Sequence, residues 1–498
     1  MSTIAGKNKH QSQITYFVKL AIGLFLLFGF GYVCPAWGGI SLAGIQSIGI
    51  FFGLVFLISC SDFGLILPAL LGFIALVATD AYDPKTLIAA TFGNTTVVQI
   101  IFAYVLCQVL IDTGAGEFIA NWLLSRKILR GRPYLFCFVF FLVAFLMGAF
   151  GHIGGIIFVL TLLDSVVGEL GYDIEGKFNR WMSLGTFTSA CMGMGLIPFQ
   201  GLPLVIFGTI MTAMQESGIA LNYAVYMLSV IIFSLLFILL FSLAVKFGRI
   251  DVQKLSTFDI TKTEGFDASK TKMNRKQLLA CICFLFGIGY SIITPFLSKD
   301  SALMQFLSNF DQCTWFILAL ALFFLFRKDG QAVLNEEKTF RTSISWSIIL
   351  VICIFSVVGG MMASPDFGVR AWLGQVLAPV FTGMPFPLFM LLICVVAGIC
   401  TNFLSNAVVG VIVGTITMPF AITYSQTIGI NLSIYGATVT MASMFCFLTM
   451  VAAGYTPLFL TRPCIKKSQK FVWCAGGGTL LGAIVLLAAV NTILAYIL

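Results

Sequence analysis

Four short stretches place helix-breaking or polar residues inside otherwise apolar runs: Gly151-His152-Ile153-Gly154, Gly193-Met194-Gly195-Leu196-Ile197-Pro198, Thr401-Asn402-Phe403-Leu404-Ser405-Asn406 and Ala453-Gly454-Tyr455-Thr456-Pro457. Glycine and proline interrupt a helix, and each interruption leaves free N–H groups at one new end and free carbonyls at the other. The N–H end carries partial positive charge and suits an anion, whereas the carbonyl end suits Na+. His152, one of only two histidines beside His10, adds a ring that changes charge near neutral pH. It reads either as a donor to a substrate carboxylate or titrating group, or as a neutral ring packed within its turn. An ionisable residue at membrane depth is a functional candidate by default.

The elements that position these stretches must lie in a bilayer. Of 498 residues, 59% are hydrophobic, 10% are charged and 50 are Phe, with a mean hydropathy of +1.03. Soluble domains carry about 25% charged residues, so a soluble enzyme is excluded and the expected fold class is an all-α polytopic membrane protein. The net charge of +8 does not point to nucleic acid, because Lys and Arg cluster in short gaps between apolar runs, where they set orientation. The fourteen cysteines read as small hydrophobes, since most lie inside apolar segments without ligand spacing.

Runs long enough for about 30 Å of hydrocarbon fall near 17–34, 44–60, 63–79, 94–112, 182–210, 222–246, 277–296, 312–326, 344–363, 432–460 and 472–497, about eleven spans. The stretches 134–170 and 386–426 carry Gly, Pro or polar residues in mid-run, and each reads as a helix plus a re-entrant hairpin whose tip faces protein or water. Basic gaps at Lys7 and Lys9, Arg126–Arg132, Lys246–Lys276, Arg327–Lys328 and Arg462–Lys470 go inside; the gaps 211–221 and 374–386 hold no Lys or Arg and go outside. The N-terminus is then cytoplasmic and Leu498 external. The polar N-terminus lacks a cleavage pattern, so the first apolar run reads as a retained helix.

The chain divides into a tail and first helix (1–43), a first repeat (44–246), a cytoplasmic linker (247–276) and a second repeat (277–498). Equivalent points recur at offsets of 250 (Trp122 and Trp372), 254 (Gly151 and Ser405) and 259 residues (Pro198 and Pro457). The connection after Trp122 is basic, whereas Gly374–Phe386 has no Lys or Arg, so equivalent points lie on opposite sides of the membrane. Two inverted halves imply a secondary transporter with its site near the midplane, where broken helices meet.

From about residue 44 onward the sequence resembles the divalent-anion/sodium symporter family of the ion transporter superfamily, on the strength of Thr401, Ser405 and Asn406 at the second tip and Thr456-Pro457 on the following broken helix. The resemblance implies an elevator-type homodimer in which Thr401, Leu404, Asn406 and Tyr455 line a Na+ site, Leu404 and Tyr455 through their carbonyls. It also implies substrate contacts from Gly151, His152, Ile153, Ser405, Asn406, Ala407, Thr456, Pro457 and Pro198. The first half departs from the motif: Gly151 and His152 replace Ser and Asn, and Ile153 and Ala407 stand at the two threonine positions. Gly151, His152 and Gly195 would form a second cation site there, for Na+ or H+.

The reading is thus a cation-coupled symporter of a small di- or tricarboxylate in the plasma membrane, with Na+ as coupling ion and no further cofactor. Sulfate is the alternative anion. A sodium/proton or arsenite-type exchanger ranks lower because neither tip carries Asp or Glu, whereas antiport generally uses carboxylates at mid-membrane. An intramembrane enzyme would need a nucleophile with its base or a metal-ligand spacing, which the sequence does not supply.

Overall fold

Apolar runs become helices, and capping side chains set many of their ends. In this computed structural model the described residues are 14–60, 62–79, 82–216, 219–257, 272–294, 297, 301–307, 309–328, 331–381, 383–450 and 452–498. Lys7, Lys9, His10 and most of the expected linker lie outside them. The first half runs α1 (Ile14–Val33), α2 (Leu42–Ser59), α3 (Ile66–Ala78), α4 (Pro84–Thr91), α5 (Thr95–Asp112), α6 (Ala115–Leu124), α7 (Pro133–Glu169), α8 (Lys177–Met194), α9 (Gly201–Glu216) and α10 (Tyr223–Phe247). The second runs α11 (Arg275–Ile293), α12 (Gln312–Leu325), α13 (Glu336–Ser343), α14 (Trp346–Ala363), α15 (Val369–Phe381), α16 (Phe386–Cys400), α17 (Asn406–Ile428), α18 (Leu432–Ser443) and α19 (Gln469–Ile497), with single turns at Pro457–Leu460 and Pro463–Lys466.

Local sequence explains many of these ends. Ser41 accepts from the Gly44 N–H at 3.2 Å to open α2. Asp83 caps α4 with Pro84 behind it, Asn222 caps α10 and Asn431 caps α18. Asn274 and Gln277 satisfy each other's backbone N–H groups in a capping box at α11.

The chain is an all-α polytopic membrane protein with roughly eleven apolar segments. Among the described residues, five helices are individually long and apolar enough to span, and α13 with α14, bent by 54°, makes a further candidate. Length misleads at α7, however. His152 sits at φ 48°, ψ −129° in its middle, and a Cβ placed on Gly155 would overlap the Met147 carbonyl oxygen. A straight helix would hold those two residues about 12 Å apart. The chain therefore turns back sharply at His152, which divides α7 into two arms.

The second half reverses between α16 and α17. Phe386 and Phe389 near the start of α16 pack on Tyr424 near the end of α17, with ring centroids 5.5 and 5.0 Å apart.

Several expected boundaries move. The single runs 182–210 and 432–460 are each a helix followed by non-helical backbone, at 195–200 and, among the described residues, at 444–450 and 452–456. Gly195 and Pro198 interrupt the ladder in the first segment, whereas in the second Gly454 and Pro457 stand only at the far end. The run 344–363 gains the amphipathic α13 in front of it, and α4 was not foreseen at all.

The halves also exchange partners. Helix α5 packs on α11 and α12, while α14 packs on α2 and α3; α13 lies on α5, and α4 on α14. Helix α9 lies on α18, and the turn at Pro457 on α8. Helices α10 and α19 meet each other.

Candidate functional site

The second reversal is held by one side chain. Asn402 donates from Nδ2 to the carbonyls of Gly398 and Phe445, both at 2.8 Å, and accepts at Oδ1 from the N–H groups of Phe447 (3.0 Å) and Leu448 (2.9 Å). It thereby stitches the end of α16 to the unwound 444–456 segment and satisfies backbone groups that the break exposes. Thr401 donates to the Ser443 carbonyl at 2.8 Å, Thr456 to the Cys446 carbonyl at 2.9 Å, and Thr449 to the Asn402 carbonyl. Asn406, the first residue of α17, donates to Tyr455 Oη at 3.1 Å and to Cys446 Sγ at 3.6 Å. Cys446, expected to be an inert hydrophobe, is thus part of a buried polar cluster.

The first reversal is held by backbone proximity. A Cβ on Gly193 would overlap the Phe145 carbonyl oxygen, so α8 lies directly against the first arm of α7. The His152 ring rests on Gly201, which adopts φ 57° and whose Cβ would meet His152 Cε1 at 2.9 Å. Tyr226 Oη donates to the Gly195 carbonyl at 2.8 Å, bracing the break between α8 and α9.

Both tips and both breaks face one cavity of about 490 Å³, within the usual range for small-ligand pockets. Of the sequence-predicted residues, His152, Ile153, Asn406, Ala407 and Tyr455 line it. Gly151, Gly195, Pro198, Thr401, Leu404, Ser405, Thr456 and Pro457 flank these in the chain but do not line it. Thr401 and Thr456 are fully buried in the stitching just described, and the Leu404 side chain is 47% exposed elsewhere. Ser405 precedes α17 without making a side-chain cap.

The sequence reading missed Gln200 and Gly201 beside the first break, Tyr104 and Gln108 on α5, and Thr342, Ser343 and Ser345 at the α13–α14 bend, all of which line the cavity. The polar Gln200, next to Pro198 in an apolar run, was a visible signal; so was the one-turn spacing of Tyr104 and Gln108.

Among the described residues, no Asp, Glu, Lys or Arg lines this cavity. Its positive character comes from backbone: the starts of α9, α14, α17 and the second arm of α7 all contribute lining residues, and helix starts present unpaired N–H groups. Beyond the cavity, Arg462 joins Asp164 and donates from Nε to Ser183 Oγ at 3.1 Å. Asp164 thereby ties the loop after Pro457 to α7.

Two chain turns and two non-helical segments thus border one cavity in an apolar helical body. The sequence matches the model of the citrate transporter family (CitMHS) over residues 54–442, and the chain belongs to that family. It is a secondary transporter of small polar or anionic solutes in the ion-transporter superfamily, not an enzyme. The expected divalent-anion/sodium symporter family is accordingly corrected to this one. No curated protein matched the sequence. Among solved structures the chain is similar to the Alcanivorax borkumensis YdaH transporter, whose crystal structure is described as revealing an unusual topology: 13% identity, TM-score 0.49, covering 81% of this chain and 87% of that one.

Proposed function

We propose that the protein is a cation-coupled symporter of a small di- or tricarboxylate, working by elevator-type alternating access as a homodimer in the plasma membrane. The observation that carries this reading is the convergence of both tips and both breaks on one cavity that has helix starts but no acidic side chain. Such a lining favours a solute with several negative charges. The reciprocal packing of α5 on α11 and α12, and of α14 on α2 and α3, supports two inverted repeats, 44–246 and 277–498, around re-entrant hairpins. The tail and first helix (1–43) and the linker (247–276) complete the chain, with the N-terminus cytoplasmic and Leu498 external. Cysteines introduced at Lys127 and Gln375 should then label from opposite faces; labelling from one face would refute the inversion.

Na+ is the coupling ion in this reading, held by Thr401, the Leu404 and Tyr455 carbonyls and Asn406. All are neutral oxygen donors, as a hard cation prefers. Tyr455's carbonyl also accepts from the Leu458 N–H at 3.0 Å, so it has one remaining lone pair to offer. Substrate contacts come from His152, Ile153, Asn406 and Ala407, backed by Gly151, Pro198, Ser405, Thr456 and Pro457. A proton replacing one Na+ is the second reading, favoured by an imidazole in the cavity wall together with the Gly151–Gly195 surroundings.

Uptake into proteoliposomes of labelled succinate, malate, citrate and sulfate, with Na+ and pH gradients imposed separately, tests the whole. Saturable carboxylate uptake driven by inward Na+ is expected. Acceleration by a pH gradient alone would select the proton reading, and uptake of sulfate only would overturn the carboxylate assignment.

A further inference from the structure

A second cavity, of about 400 Å³, lies where the start of α11 meets the end of α12, and Arg275, Lys276 and Arg327 line it. Among the described residues no Asp or Glu lines it, and none of the three cations makes an ion pair or a side-chain hydrogen bond. Several other basic residues near the ends of apolar runs are already engaged: Arg126 stacks on Trp122, Lys177 donates to the Gly248 carbonyl at 3.1 Å, Arg462 joins Asp164 and Lys467 joins Glu175. Orienting a chain in a bilayer needs only cationic loops. Three unpaired cations gathered round one hollow go beyond that need.

The wall beyond them is apolar. Arg275, Leu278, Ile282 and Leu285 recur along α11 at intervals of three and four residues and so form one stripe, cationic at the helix start and apolar after it. Leu278, Ile282 and Leu285 are 48, 53 and 59% exposed, and Phe326, next to Arg327 on the cavity wall, is half exposed. A cationic rim above an exposed apolar stripe is complementary to an amphiphile with a phosphate head. Guanidinium groups bind phosphate oxygens through paired N–H donors, lysine adds a point charge, and an acyl chain removes the leucines' neighbours from contact with water. Three positive charges call for a head with more than one negative charge. A zwitterionic head would bring its own cation into a hollow that already holds three.

We infer that Arg275, Lys276 and Arg327 form a binding site for a phospholipid carrying two phosphate charges, one of its acyl chains lying along Leu278, Ile282 and Leu285. None of these residues lines the solute cavity, so the site is separate from the carboxylate reading above. Native mass spectrometry of the purified full chain should show saturable binding of cardiolipin at least about tenfold tighter than of phosphatidylcholine, since each basic residue at a membrane surface strengthens anionic-lipid binding about fivefold. The triple variant Arg275→Gln, Lys276→Gln, Arg327→Gln should bring that ratio to within about twofold.

Equal affinity for the two lipids in the wild-type protein overturns the site, as does an undiminished ratio in the folded triple variant. Glycerol bisphosphate, which has the charges without the chains, should fail to displace cardiolipin when equimolar with it; displacement would identify a free-phosphate site and overturn the lipid assignment. A wild-type measurement covers a variant that does not fold: cardiolipin with a photoactivatable diazirine in an acyl chain should crosslink chiefly between Leu278 and Leu285. Labelling spread evenly over the membrane-facing helices overturns the inference.

Discussion

The two chain reversals reach the same cavity by different physical means. At the second, Asn402 makes four hydrogen bonds to backbone and Thr401, Thr449 and Thr456 add three more, so side chains replace the partners that a broken helix loses. At the first, glycines let backbone touch backbone, at Gly155 against Met147 and Gly193 against Phe145, and a single non-glycine residue, His152, takes the turn at φ 48°. One tip is stitched and leaves its polar groups satisfied. The other is packed. Asn402 at the stitched tip is fully engaged with backbone, whereas the packed tip leaves a ring nitrogen without a partner at the cavity wall.

The largest effect should follow from closing the space at the packed tip. Gly155→Ala drives a Cβ into the Met147 carbonyl, which is backbone and cannot move aside, so no monodisperse protein is expected on size exclusion. Gly154→Ala, whose Cβ meets open space, should fold. Equal behaviour of the two would dissolve the contrast. Next comes Asn402→Ala, which strands the Phe445 carbonyl and the Phe447 and Leu448 N–H groups. Each buried orphan costs roughly 1–3 kcal/mol, so a loss of more than about 3 kcal/mol is expected in thermal unfolding.

Asn406→Ala removes the links to Tyr455, Cys446 and the Ala407 N–H and should leave folded protein, with coupled uptake reduced at least about tenfold, or about 1.4 kcal/mol; unchanged kinetics would take Asn406 out of the site. The smallest effect separates His152→Gly from His152→Ala. Both delete the ring, but only glycine adopts φ 48° freely, so the Gly variant should be more stable by about 1 kcal/mol. An Ala variant of equal stability would mean that the turn is not strained.

Much of this contrast was legible in the primary structure, because a glycine-rich tip and an Asn/Ser/Thr tip differ in composition. The reversals, the breaks near Pro198 and Pro457 and the offsets near 250 residues follow from local rules about glycine, proline and apolar run length. Asn402 was visible as a tip residue but not as its staple, since all four of its bonds depend on where the 444–456 segment comes to rest. Gln200 stood out as a polar residue near a break, but its role, like that of Cys446, was hidden for the same reason. An amide beside a helix break, or a thiol in an apolar run, acquires a role only from the atoms packed around it.

Residence in the bilayer, helical secondary structure and the places where helices break were determined by the sequence alone, because they depend on hydropathy, proline and glycine acting within a few residues. Tertiary structure alone decided which broken ends share a cavity, that Ser405, Thr456 and Pro457 stand back from it while Gln200, Tyr104 and Gln108 line it, and which polar atoms remain unpaired. Those outcomes turn on ångström-scale packing between segments some 250 residues apart, and no local rule encodes such distances.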